Sequence, residues 1–188
     1  MIKKSVLLLI AAALIASVLT SGCTSNVGTA SPSPSPTSTY TSPQGFTIKY
    51  ASDWGKPEER SNSTVVISLP TNNASENLNV QVINLPSNAT LATATENDTS
   101  TVDRYHGILL NPEENTTFAG LPGQTYMYQA TIDGHPLTVL KTWTVKDGKA
   151  YVITYKAGFG TGMTTDPNNI FDKYLTTAQQ MIDSFQIK

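Results

Sequence analysis

Apolar side chains between residues 46 and 156 fall mostly on alternate positions, the period of a half-buried β-strand. In GFTIKY, Phe46, Ile48 and Tyr50 alternate with Thr47 and Lys49. STVVISLP is a β-branched run stopped by Pro70, and NLNVQVINLP sets Leu78, Val80 and Val82 on one face before Pro86. Residues 124–156 hold three strand-like runs joined at Asp133-Gly134 and Asp147-Gly148. Asp-Gly suits two-residue hairpin turns, whose central residues both need positive φ, so this stretch predicts an antiparallel meander.

Near the C-terminus the period changes. Ile170, Phe171, Tyr174, Leu175, Ala178, Met181, Ile182 and Phe185 recur three or four apart, the spacing of an amphipathic helix. Asp166 suits its N-cap, and Pro167 its first helical position. A shorter helix is expected from Ser100 to Leu109, with Asp103 completing a weak cap pattern. The pattern predicts an α+β fold with a central antiparallel β-sheet flanked by helices.

The first 43 residues follow neither period. After Lys3 and Lys4 the chain runs uncharged from Ser5 to Leu19, 15 residues, short of the ~20 that span a bilayer. Small residues then lead to Cys23, the one cysteine of the chain. A basic start, a short apolar run and a small-residue end make a secretory signal over residues 1–22. Thr20-Ser21-Gly22-Cys23 resembles the lipobox of prokaryotic lipoproteins, with Thr20 where that motif prefers Leu, Val or Ile. Cys23 is therefore expected to carry a lipid that tethers the protein to the outer face of the cytoplasmic membrane. The alternatives are an uncleaved anchor and ordinary secretion. A disulfide within the chain is ruled out for want of a partner thiol. Residues 23–43 are rich in Ser, Thr and Pro, without charge, and read as an extended stalk. Residues 44–188 are left for one domain with a core of its own.

Composition narrows the job. Without Lys3 and Lys4, ten basic residues face fourteen acidic ones, and the two arginines, Arg60 and Arg104, stand far apart. Nucleic-acid binding needs clustered cations and is not expected. Five sequons make Asn62, Asn73, Asn88, Asn97 and Asn115 candidate N-glycosylation sites. His106 and His135 lack the closely spaced partners of a metal or catalytic site. Glu58-Glu59 and Glu113-Glu114 are adjacent pairs whose side chains diverge, which suits a solvated surface better than calcium. The glycine-rich stretch 157–166 lacks the P-loop lysine and the dinucleotide spacing. No nucleophile elbow is present, and no catalytic residue, metal site or cofactor is expected.

Trp54, Trp143, Tyr126, Tyr128, Tyr151 and Tyr155 sit on the predicted strands as core candidates. Tyr151, Ile153 and Tyr155 share a face, and the C-terminal helix is expected on one side of that strand, the side left open.

YTSPQGFTIKYASDWGKPEE, FAGLPGQTYMYQA, KTWTVKDGKAYVITYKA and a helix ending MIDSF occur in the order seen in PsbP-like domains. Over Tyr40–Lys188 the chain resembles that family, departing from it at Ala51, where many relatives carry proline. The resemblance implies an α/β/α sandwich around an antiparallel sheet, a fold PsbP shares with a Ran-binding nuclear-import factor. Plant PsbP is an extrinsic subunit of photosystem II that helps retain calcium and chloride. No ion-handling residue of that protein can be placed on this chain. The resemblance, the tether and the stalk together lead us to expect a non-enzymatic accessory protein that binds or stabilises a membrane-associated protein complex. Capture of a small ligand or an ion such as calcium at the cell surface is the alternative.

Overall fold

The computed structural model describes residues 37–95, 107–132, 134–158 and 170–188. Ten strands run in chain order: β1 (Thr37–Ser42), β2 (Phe46–Ala51), β3 (Glu58–Ser61), β4 (Thr64–Ser68), β5 (Asn77–Asn84), β6 (Ile108–Phe118), β7 (Leu121–Ile132), β8 (His135–Lys146), β9 (Lys149–Gly158) and β10 (Gln186–Ile187). The C-terminal helix, Ile170–Asp183, lies between β9 and β10. Residues 91–95 are also helical.

Seven strands form one antiparallel sheet in the order β3-β4-β5-β9-β8-β7-β6, and β1-β2-β10 form a second. The meander expected over residues 124–156 is β7, β8 and β9. Its second turn places Asp147 at φ 50° and Gly148 at φ 69°, as a tight hairpin between Lys146 and Lys149 requires. An unforeseen turn joins β6 to β7, where Ala119 (φ 53°) and Gly120 (φ 76°) both take the left-handed conformation.

The large sheet is buried unequally on its two faces. On one, Leu78, Val80, Ile153 and Tyr155 meet Phe171, Ala178, Met181 and Ile182 of the helix and Phe46 and Ile48 of β2. On the other, Tyr126, Tyr128, Val139, Trp143 and Val152 form a second cluster, against which Leu85 and Leu91 pack half-buried. The helix thus covers the face carrying Tyr151, Ile153 and Tyr155, and it shares that cover with the three-stranded sheet. Tyr155 fixes it there: its buried hydroxyl donates to the Phe171 carbonyl at 2.8 Å while its ring stacks on Phe171 at 4.9 Å. At the far end Ser184 accepts from the Lys49 N–H at 2.9 Å and donates to the Met181 carbonyl at 2.6 Å. That pair of bonds ties the helix end to β2, and the Met181 carbonyl also accepts from the Ser184 N–H at 3.2 Å.

Three expectations need correction. Sheet outweighs helix among the described residues, so the α/β/α sandwich is matched only in part, one flanking layer being helix plus small sheet. Ile108 and Leu109, assigned to a short helix, belong to β6, and Gly107 before them is not helical; residues 100–106 of that helix, and the Asp166 cap, lie outside the described residues. Finally, Thr37–Ser42 of the segment 23–43 read as stalk is a strand, paired with β2 from Thr37↔Ala51 to Ser42↔Phe46. An edge strand draws its hold from backbone pairing, so β1 needs little apolar surface beyond half-buried Tyr40.

Candidate functional site

The helix lies over β9 and β2 and stops short of the sheet's other half. Along β7 and β8 the face toward the helix is built by register. Met127 stands opposite Leu140, Thr125 opposite Thr142 and Gly123 opposite Thr144. Thr116 and Phe118 of β6 continue it, Thr116 opposite Gly123 and Phe118 opposite Leu121. Between this strip and the helix runs a groove of two neighbouring parts. The larger, of about 620 Å³, is lined by threonines 116, 117, 125 and 142, by the Ala119-Gly120 turn, and by Gln179, Asp183 and Gln186, over apolar Phe118, Ile182 and Phe185. The smaller, of about 400 Å³, is lined by Met127, Leu140, Leu175 and Thr176 with Gln179, Gln180 and Asp183. Gln179 and Asp183 border both.

Hydrogen bonds set the polarity of the larger part. Thr125 Oγ1 donates to the Lys141 carbonyl at 3.1 Å and lies 3.0 Å from Thr142 Oγ1. Thr142 is therefore the donor to Thr125, which leaves its lone pairs available as acceptors. Gln179 Nε2 donates to Asp183 Oδ1 at 2.8 Å and holds in place the one charged lining side chain among the described residues. Beneath, Phe185 packs between Phe46 and Phe118, with both ring centroids at 5.1 Å. The groove floor is thus continuous with the main core.

Solved structures share this architecture. A solution structure of PsbP from the cyanobacterium Synechocystis matches with a TM-score of 0.56 at 17% identity, over 84% of this chain and 96% of that one. The fold is PsbP-like. A protein from Bacteroides thetaiotaomicron matches with a TM-score of 0.54 at 12% identity, over 80% of this chain and 48% of its own. LpqN, involved in cell envelope biogenesis of Mycobacterium tuberculosis, matches at 0.50 and 13% identity, over 81% and 91% respectively. No protein-family model and no curated protein matches the sequence. At these identities the likeness speaks for fold alone.

The PsbP-like domain disperses most residues singled out from sequence. His135 opens β8, exposed and opposite Ile132, while His106 lies outside the described residues. Glu58 pairs with Arg60 at 2.8 Å on an exposed edge, and Glu59 accepts the Tyr40 hydroxyl at 2.7 Å. Burial, and after it that bond to Glu59, pushes the Tyr40 phenol up to about 12. Among the described residues no three His, Cys, Asp or Glu side chains come together as a metal cluster would. Asn62, Asn88 and Asn115 are exposed, and Asn115 accepts from Gln124 at 2.8 Å. Asn73 is half-buried and accepts from the Ser75 N–H; Asn97 and Cys23 lie outside the described residues. Trp54, Trp143, Tyr126, Tyr128, Tyr151 and Tyr155 are all buried core. Burial also raises the phenols of Tyr151, with a further push from Asp147, and of Tyr155. The groove residues escaped sequence reading, since threonines on a strand carry no distinguishing pattern.

Proposed function

We propose that this protein is a non-enzymatic accessory protein held at the outer face of the cytoplasmic membrane by a lipid on Cys23, presenting the groove beside its C-terminal helix to its binding partner. One observation carries this reading: the helix covers only part of one sheet face and leaves an open, hydrogen-bonding groove on the rest. Threonine hydroxyls and carboxamides recognise, and the carboxylate beside them, Asp183, is engaged by Gln179. No helix among the described residues is long and apolar enough to cross a membrane; in this reading the tether is the lipid on Cys23. LpqN, a structural neighbour with a role in the cell envelope, favours the same setting. In a host with the machinery, Asn62, Asn88 and Asn115 are the sequons open to glycosylation. A second reading, capture of a small ligand, is favoured by the hydroxyls and carboxamides that converge on the larger part of the groove.

A photo-cross-linking side chain installed at Gln179, in intact cells, tests the proposal. Adducts from Gln179 are expected, with none from exposed Asn88 and few once Cys23→Ala removes the tether. Equal capture from both positions, or capture from neither, would overturn the assignment of the groove.

A further inference from the structure

Resting on the reading of this groove as the binding surface, we infer that it receives a neutral glycosyl head carried on an alkyl chain, the exposed part of a membrane glycolipid. The lining changes character along its length. Thr116, Thr117, Asp183 and Gln186 mark one end, and Met127, Leu140 and Leu175 mark the other. The two meet at Gln179 and Asp183, one helical turn or about 6 Å apart along the axis. A ligand that is polar throughout, or apolar throughout, matches only one of these parts.

Charge selects the head. Among the described residues none that lines either part is basic, and Asp183 is the one acid. A phosphate or carboxylate would meet that carboxylate with no compensating cation. Neutral hydroxyls suit the site better. With Oδ1 of Asp183 held by Gln179, its second oxygen can accept from a sugar hydroxyl. The Thr142 lone pairs accept likewise, and the carboxamide of Gln186 both donates and accepts. Phe118, Ile182 and Phe185 close this end from below as part of the buried core. The volume of about 620 Å³ falls within the ~300–1,000 Å³ usual for small-molecule sites. Leu175 and Met127, half-buried beside Leu140, then receive the first methylenes of the chain.

The test uses the full chain in lipid nanodiscs, with maltose, octyl maltoside and glucuronate as probes and protein-free nanodiscs as the blank for octyl maltoside that partitions into lipid. Binding is read by saturation-transfer NMR and calorimetry. Maltose is expected to bind, and octyl maltoside at least tenfold tighter, since each buried methylene adds about fourfold. Thr116→Val/Thr117→Val, two conservative changes on an edge strand, should weaken both at least fivefold. Leu175→Gln should weaken only octyl maltoside. Circular dichroism confirms that each variant is folded. Equal affinity for maltose and octyl maltoside overturns the lipid source, and equal affinity for glucuronate overturns the neutral head. No binding of any probe, alongside adducts from Gln179 in cells, overturns this inference and leaves the proposed function standing.

Discussion

Replacing Phe185 by alanine removes the side chain through which the two sheets and the helix meet. Phe185 is 2% exposed and lies two residues beyond the helix end at Asp183. Its ring lies 5.1 Å from Phe46 of β2, 5.1 Å from Phe118 of β6 and 6.3 Å from Tyr151 of β9. A buried Phe→Ala change costs about 3–5 kcal/mol in transfer and cavity terms. The close aromatic pairs with Phe46 and Phe118 place it toward the upper end, at roughly 0.5–1.5 kcal/mol each beyond area. Against a total stability of about 5–15 kcal/mol, that is a large share. At about 2–4 °C per kcal/mol for a domain of this size, Tm should fall by roughly 10 °C or more. Phe185→Leu keeps most of the apolar volume and loses the ring stacking, so about 1–2 kcal/mol is expected. Urea unfolding of the full chain, followed by far-ultraviolet circular dichroism, measures both, and the denaturant slope should stay constant. An alanine variant that loses less than about 1 kcal/mol would refute the keystone role drawn here. So would a leucine variant as damaging as alanine.

Two hairpin turns should respond to substitution with opposite sign. Gly148→Ala puts a Cβ where φ is 69° and should cost about 1 kcal/mol, whereas Ala119→Gly relieves a Cβ already at φ 53° and should add about 0.5 kcal/mol, both read as shifts in the urea midpoint. Gly123→Ala would set a Cβ 2.7 Å from the Trp143 carbonyl oxygen and 3.1 Å from Phe118 Cβ; backbone cannot yield as a flexible side chain does, so about 1–3 kcal/mol of stability should be lost in thermal unfolding. Tyr40 should ionise at about pH 12 in a titration followed near the phenolate absorbance band, and Glu59→Gln should bring it back part of the way toward 10. Because its folded value of about 12 lies above the unfolded 10.0, the unfolded chain holds fewer protons between those limits. Its contribution is complete below pH 10 and disappears as pH rises toward 12; a stability curve flat across that window, relative to Tyr40→Phe, would contradict the assignment.

Much of this architecture is legible in the chain because its central strands are buried on at least one face. Leu78, Val80 and Val82, or Tyr151, Ile153 and Tyr155, must alternate if one side meets the core, and Asp147-Gly148 marks its turn by chemistry alone. The edges are a different matter. β1 is held by pairing with β2 and carries a single large apolar residue, Tyr40. β6 contains Pro112, and its register slips between Leu109 and Asn111 and again between Asn111 and Glu114. Bulges break the period-two pattern, and a proline is tolerated there because an edge strand has hydrogen bonds to spare. The apolar pair Ile108 and Leu109 was therefore open to a helical reading, though both are more than half exposed on the strand. The groove is illegible for a further reason. Thr116, Thr125, Thr142 and Gln179 come from β6, β7, β8 and the helix, and only the sheet order and the helix placement bring them together.

The position of β1 has a mechanical consequence. Any pull transmitted along the preceding chain is applied at Thr37, the first residue of a six-residue strand at the edge of the smaller sheet. The bonds loaded first are those between β1 and β2, with the Tyr40–Glu59 hydrogen bond as an added latch. β5, β9 and β8, in the middle of the larger sheet, take no direct load. Peeling β1 away would release about 20 Å of chain with Leu78, Ile153 and Phe185 still in place, so the domain would lengthen under tension before it lost its core or its groove.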